Sequence, residues 1–280
     1  MKRIAQLGFV GLCLLTVSIV GADTAEDVYR ESGLEYELGR LGETMVAQMN
    51  AETSAQLYES VTADDFRTIV QTVPAAFSEE AMRADIVESI EEGLSVSQRS
   101  NALEWLRSPT GRYMTELEGV SSTPEAVEQL DEFRATNRIE TLSPQRLALL
   151  ERLDETVGLT EGAADLVIGV QLGMVAGALA TVPMDQDTRL NQMSLLSSQL
   201  EGARTQIAQQ MEQQVASHMA FTYAEADDEQ LTAYIEFLES DVGTHYSTVL
   251  SDALKDALFE AALRFGRLLA EGFGTNEQAL

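Results

Sequence analysis

Cysteine, histidine and lysine are scarce in this chain of 280 residues, which has one cysteine and two histidines. The cysteine, Cys13, lies in an N-terminal apolar run that we expect to be removed. The remaining chain then has no disulfide and no thiol chemistry. A hydrophobic core must hold the fold without covalent cross-links, and a chain of this length can bury one.

Residues 1–22 have the pattern of a secretory signal peptide. Lys2 and Arg3 form a short basic start, residues 4–20 are apolar, and small residues end the segment at Ala22. Acidic sequence follows at once, which favours cleavage over a membrane anchor. We therefore expect the protein to be exported to the periplasm.

Positive charge is also scarce. The formal net charge is −28, and Lys255 is the only lysine after the predicted signal peptide. Such an acidic surface repels phosphate backbones and anionic lipid headgroups, which argues against nucleic-acid binding and a peripheral-membrane role. We also expect no stable membrane insertion once the signal peptide is removed. A solvated surface explains this charge better than a dedicated patch for a cationic partner.

Alternating strand-like patterns are missing, and apolar residues recur at helical spacing along most of the chain. The sequence predicts an all-α fold, a helical bundle. Thr160 is the expected cap of a helix that ends near Thr181, and a helix over 187–223 should turn an apolar stripe that includes Leu190 inward. The last helix should run to about Leu269, with Gly272 marking its end.

One motif occurs twice: residues 105–111 read WLRSPTG, and residues 237–243, placed 132 positions later, read FLESDVG. Ser108 and Ser240 can each cap a new helix, and Gly111 and Gly243 then lie in its first turn, where a backbone can approach closely. The pattern predicts two divergent tandem copies of one helical unit. The expected order is the signal peptide, unit 1 (23–122), a helical connector (123–143), unit 2 (144–272) and a tail (273–280).

The motif, the preceding leucine-rich helix and the predicted export together resemble the bacterial domain of unknown function 2059. The resemblance is clearer over residues 144–272, through Leu149-Leu150-Glu151 and Phe237 to Gly243, than over residues 25–120. The Ser-Pro of the motif is kept at Ser108 and becomes Ser-Asp at Ser240. The resemblance implies an all-helical exported fold and carries no reaction or site residue.

Few residues suggest chemistry. His245 could form an acid–base pair with Glu239 or Asp241, as in a hydrolase-like enzyme, although a partly exposed structural histidine is the better explanation. The acidic residues 227–229 fit helix capping better than metal binding. We therefore assign no catalytic, cofactor-binding or metal-binding residue.

Gly169, Gly173 and Gly177 form a glycine ridge on an apolar helix. Such a ridge allows close helix packing, and we favour packing within the chain over a dimer interface or membrane insertion. A membrane-associated oligomer that uses this ridge remains an alternative.

The most probable role from the sequence is a non-catalytic binding or interaction module of the bacterial cell envelope. Its expected partner is a protein or a small apolar ligand, with a homo-oligomer also open. No cofactor is expected.

Overall fold

The computed structural model describes residues 23–53 and 63–277, which form twelve α-helices and a short 3-10 helix, with no strand among them. This confirms the predicted all-α class. The predicted signal peptide (1–22) lies outside the described residues. The helices are α1 Ala25–Glu31, α2 Leu34–Thr53, α3 Ala63–Ala76, α4 Glu79–Gly93, α5 Val96–Leu106, α6 Pro109–Ser121, α7 Pro124–Ala135, α8 Pro144–Val157, α9 Leu159–Thr181, α10 Gln186–Thr222, α11 Asp228–Glu239 and α12 Asp241–Glu277. The 3-10 helix, Arg138–Thr141, follows α7.

Two hydrophobic clusters hold the bundle. The first joins α1–α5 to α12, with Ile86 and Leu103 fully buried. The second joins α6, α7, α8 and α11 to the C-terminal part of α10, with Leu231 and Ile235 fully buried. Because α12 contributes to the first cluster, the end of predicted unit 2 lies in the same core as the start of predicted unit 1.

Both copies of the motif form the same helix start. The Ser108 hydroxyl accepts the Gly111 N–H at 3.0 Å, and the Ser240 hydroxyl accepts the Gly243 N–H at 3.0 Å. Each serine has extended backbone, as an N-cap requires. The predicted capping role of both serines agrees with these contacts.

The glycine of each motif lies against the aromatic residue six positions before it. A Cβ at Gly111 would overlap the carbonyl oxygen of Trp105, and a Cβ at Gly243 would overlap that of Phe237. The two aromatic rings also stack on each other, with centroids 4.8 Å apart and planes 10° apart. Since Phe237 packs against both hydrophobic clusters, this pair joins them.

Helix α9 packs along α12 through glycines from both helices. A Cβ at Gly173 would lie 2.6 Å from the Phe259 carbonyl oxygen, and one at Gly177 would overlap the Leu263 carbonyl oxygen. From α12, Gly266 makes the reciprocal contact with the Met174 carbonyl. Two glycines of the ridge therefore serve packing within the chain, as we favoured.

Gly169, the third glycine of the ridge, has open space around it. Among the described helices, α9 alone is long and apolar enough to cross a membrane by length and composition, and 22% of its most apolar window is buried. That apolarity is weak evidence for a span, since core helices of soluble proteins have it as well.

Three helix details differ from the sequence expectations. Helix α9 begins at Leu159, because Gly158 takes the left-handed conformation (φ 65°) and caps it, whereas Thr160 bonds to Asp154. Helix α12 continues past Gly272, whose missing side chain leaves room for Thr68 of α3. Leu190 is 58% exposed, because the N-terminal part of α10 carries no residue of either cluster.

The glycine contacts make a direct prediction about stability. We expect Gly177→Ala to lower the free energy of unfolding by about 1–3 kcal/mol, because its Cβ meets backbone that cannot move without displacing α12. Gly169→Ala is the matched control on the same helix and should raise stability by up to about 1 kcal/mol, since alanine favours helix. Urea unfolding followed by Trp105 fluorescence measures both. Equal effects would contradict the packing described here.

Candidate functional site

A cavity of about 570 Å³ lies where the two hydrophobic clusters meet, and we call it the central cavity. Its walls come from the start of α2, from α6, α8 and α11, and from parts of α9, α10 and α12. A second cavity of about 420 Å³, the side cavity, lies between α2, α7 and α12. Glu37, Arg134 and His218 line both cavities, so the two share a wall.

Glu118 of α6 is a buried polar group in the wall of the central cavity. Its Oε1 accepts hydrogen bonds from the Tyr223 hydroxyl at 2.6 Å and the Tyr234 hydroxyl at 2.8 Å. Burial raises the pKa of the Glu118 carboxyl, whereas the two tyrosine hydrogen bonds lower it by favouring the ionised form. The result is a carboxyl group with a raised pKa and a fixed orientation.

Local sequence places these three side chains together. Tyr223 is the C-cap residue of α10, and the Arg146 guanidinium donates hydrogen bonds to the carbonyls of Tyr223 and Ala226, the latter at 2.8 Å. Tyr234 lies on α11, whose start is set by a complete capping box between Asp227 and Gln230. These contacts fix the corner between α10 and α11 and thereby both hydroxyl groups.

Glu37 of α2 is a second carboxyl group in the wall of both cavities. Burial, and then the nearby charge of Glu118, raise its pKa from 4.5 to about 8. No hydrogen bond or ion pair to the Glu37 carboxyl is present among the described residues. At neutral pH this carboxyl group therefore holds its proton.

Two further polar residues of the central cavity are buried. Tyr246 of α12 is buried, and burial followed by the Glu118 charge raises the pKa of its phenol. Thr222 is 8% exposed, and its hydroxyl has no hydrogen-bond partner in the described structure. An unpaired buried hydroxyl costs free energy unless a water or ligand contacts it.

The positive groups around the cavities are partly engaged elsewhere. Lys255 lies 3.7 Å from an Asp165 oxygen and 3.8 Å from an Asp252 oxygen, and Arg134 lies 3.5 Å from an Asp131 oxygen. The exposed ring of His218 reaches both cavities. The surrounding protein atoms, and then the Arg134 charge, lower its pKa and favour the neutral imidazole.

The residues that the sequence suggested for catalysis are not joined to each other by hydrogen bonds. The His245 Nε2 lies 2.9 Å from the Gly93 carbonyl oxygen. Glu239 instead forms a two-point ion pair with Arg152 at 2.7 and 2.5 Å. Asp241 lies in the first turn of α12, where a negative charge favours the helix dipole.

The acidic residues 227–229 have structural partners too. Asp227 caps α11, and Asp228 forms an ion pair with Arg146 at 2.9 Å. Within residues 23–53 and 63–277, no group of three or more histidine, cysteine or acidic side chains could hold a metal ion.

Sequence reasoning missed Glu37 and Glu118, although a weak signal was present. Leu34, Leu38 and Leu41 define the apolar face of α2, and Glu37 lies on that same face at i+3 from Leu34. Glu118 likewise lies on the same face of α6 as Met114, which is four residues earlier. An acidic residue inside an apolar stripe indicates a carboxyl group turned toward the protein interior.

The chain matches no family model, no curated protein and no solved structure. Its resemblance to the domain of unknown function 2059 therefore stays a prediction. The fold and the site define an all-α protein with a cavity whose wall includes two glutamates and three tyrosines.

The pKa of Glu37 predicts how stability depends on pH. The folded state keeps the Glu37 proton up to a pKa of about 8, whereas the ordinary pKa is 4.5, so stability falls as pH rises through this window. We expect Glu37→Gln to be more stable than the native protein at pH 9 by roughly 1–3 kcal/mol, with the difference vanishing below pH 4.

Urea unfolding at a series of pH values measures this difference. Glu43→Gln is the matched control, because Glu43 is exposed on the same helix and lines neither cavity. Parallel pH profiles for both variants would show that Glu37 has an ordinary pKa.

Proposed function

We propose that the protein binds a small, mainly apolar molecule in the central cavity. The observation that carries the proposal is the cavity itself, whose volume of about 570 Å³ is in the range of small-molecule sites. Ligand sites of this size are mostly apolar and contain a few fixed polar groups. The central cavity has that character.

The apolar part of the wall comes from several helices, and α9 contributes one of its faces. Leu159, Gly162, Ala163 and Leu166 line the cavity at positions i, i+3, i+4 and i+7. Leu153 of α8 faces the same space. These side chains provide a surface against which an apolar ligand gains roughly 25 cal/mol for each Å² removed from water.

The polar groups in the wall favour a ligand-binding role for the cavity rather than a defect in packing. The Thr222 hydroxyl is buried and has no partner in the described residues, which is seldom seen in native interiors. The second oxygen of the Glu118 carboxyl, Oε2, accepts no hydrogen bond from the described residues and is open to a donor. A ligand with a polar end could bond to either group.

We further propose that this binding takes place in the periplasm, because residues 1–22 have the pattern of a signal peptide. The duplicated motif supports an origin by tandem duplication, since both copies share one cap geometry. Binding without catalysis is the simplest role, as the histidine pairs that suggested a hydrolase have other contacts.

Filling the cavity should abolish binding. The neutral fluorophore N-phenyl-1-naphthylamine is the probe, and we expect saturable binding at one site in the native protein. Ala163→Phe places a ring in the cavity and should weaken the affinity at least about tenfold. Fluorescence titration measures the change.

Ala180→Phe is the matched control, because Ala180 is exposed on the same helix and lines neither cavity. Ser251→Phe places a ring in the cavity from the opposing helix α12. This second variant keeps the test valid if Ala163→Phe prevents folding. Unchanged affinity in both cavity variants, or non-saturable binding to native protein, would reject the central cavity as the site.

A further inference from the structure

We propose that the ligand carries a positively charged nitrogen, which the carboxyl groups of Glu37 and Glu118 bind between α2 and α6 while its apolar part lies against α9. This inference rests on the proposed function and specifies its ligand class as organic amines.

The carboxyl groups of Glu37 and Glu118 have no positively charged partner among the described residues. Both line the central cavity, where the Tyr36 ring of α2 lies against Gly119 of α6. The charge of Glu118 also contributes to the raised pKa of Glu37. Neither forms an ion pair in the described part of the chain. Two adjacent carboxyl groups cannot both ionise cheaply in a desolvated site, but a cation placed between them allows both to do so.

The neighbouring cations do not fill this role. Lys255 lies beside Asp165 and Asp252, and Arg134 lies beside Asp131. His218 has a lowered pKa and is neutral at pH 7. The positive charge that would pair with Glu37 and Glu118 therefore comes from the ligand.

The aromatic residues favour an organic cation. Tyr223, Tyr234 and Tyr246 line the cavity, and the rings of Tyr223 and Tyr234 have centroids 6.1 Å apart. Tyrosine ring faces attract ammonium and guanidinium groups. Because both hydroxyls of Tyr223 and Tyr234 donate to Glu118, they also hold its carboxylate in one orientation.

A metal ion fits this wall poorly. Calcium needs six to eight oxygen ligands, and the described residues contain no cluster of three acidic or histidine side chains. The wall around the two glutamates also includes leucine and valine side chains, which suit the carbon chain of an amine and cannot bind a hydrated ion. An anionic ligand would meet two acids in a chain of net charge −28.

Binding of an amine should release a proton. Glu37 holds its proton at pH 7 in the free protein, and an ammonium group beside it makes the ionised form the stable one. The groups around Glu37 that could also exchange protons are Glu118, His218 and the three tyrosines. Of these, the tyrosines have raised pKa values and stay protonated at pH 7.

Three probes with the same carbon chain separate the head groups: n-octylamine, n-octanol and n-octanoate. Isothermal titration calorimetry at pH 7 should show octylamine binding at least about tenfold more tightly than octanol, with octanoate weakest. Repeating the octylamine titration in buffers of different ionisation enthalpy should show close to one proton released per amine bound.

Glu37→Gln should weaken octylamine binding about tenfold, leave octanol binding unchanged and abolish the proton release. Glu43→Gln, which removes the same charge from an exposed position of α2, should change none of these. Glu118→Gln compared with the exposed Glu116→Gln repeats the test on α6.

The outcomes separate the two proposals. Equal affinity for octylamine and octanol, or octylamine binding that Glu37→Gln leaves intact, overturns the amine proposal while the cavity remains a binding site. Absence of binding by all three probes and by N-phenyl-1-naphthylamine rejects the proposed function and the amine proposal together.

Discussion

Backbone contact between α9 and α12 is the constraint on which the cavity depends. Gly173 and Gly177 bring α9 against the backbone of α12, and Gly266 of α12 meets α9 in return. The two helices run in parallel, and their earlier turns, which include Ala163 and Ser251, form walls of the central cavity. The glycine contacts therefore fix the distance between the earlier turns of α9 and α12. The side chains of those turns do not fill the space between the helices, and the central cavity remains there.

The stacked rings of Trp105 and Phe237 provide the second fixed contact. They join the hydrophobic clusters at one point. Residues of both clusters also line the central cavity, where Glu118 accepts hydrogen bonds from two tyrosine hydroxyls. The large negative charge of the chain also favours a cationic ligand. An acidic protein attracts cations over a long distance, before any short-range contact forms.

Local chemistry in the sequence was sufficient to predict the starts of α6 and α12, whereas the start of α9 was predicted at Thr160 and is capped by Gly158 instead. Ser108 and Ser240 cap α6 and α12 as their spacing with glycine indicates, since capping involves neighbouring residues only. The helix end near Gly272 was wrong because tertiary packing on α3 outweighs the cost of glycine in a helix. The cavity could not be predicted, because it depends on how α9 and α12 pack against each other. The periodicity of a sequence shows which helix face is apolar, but it does not show which residues cover that face.

The protonation state of Glu37 tests the central claim most directly. Carbon-13 NMR of the glutamate carboxyl carbons, assigned with Glu37→Gln, follows each group as pH changes. We predict that Glu37 titrates with a pKa of about 8 in the free protein and falls to the ordinary range or below when octylamine saturates the cavity. An ordinary pKa in the free protein that octylamine leaves unchanged would contradict the account.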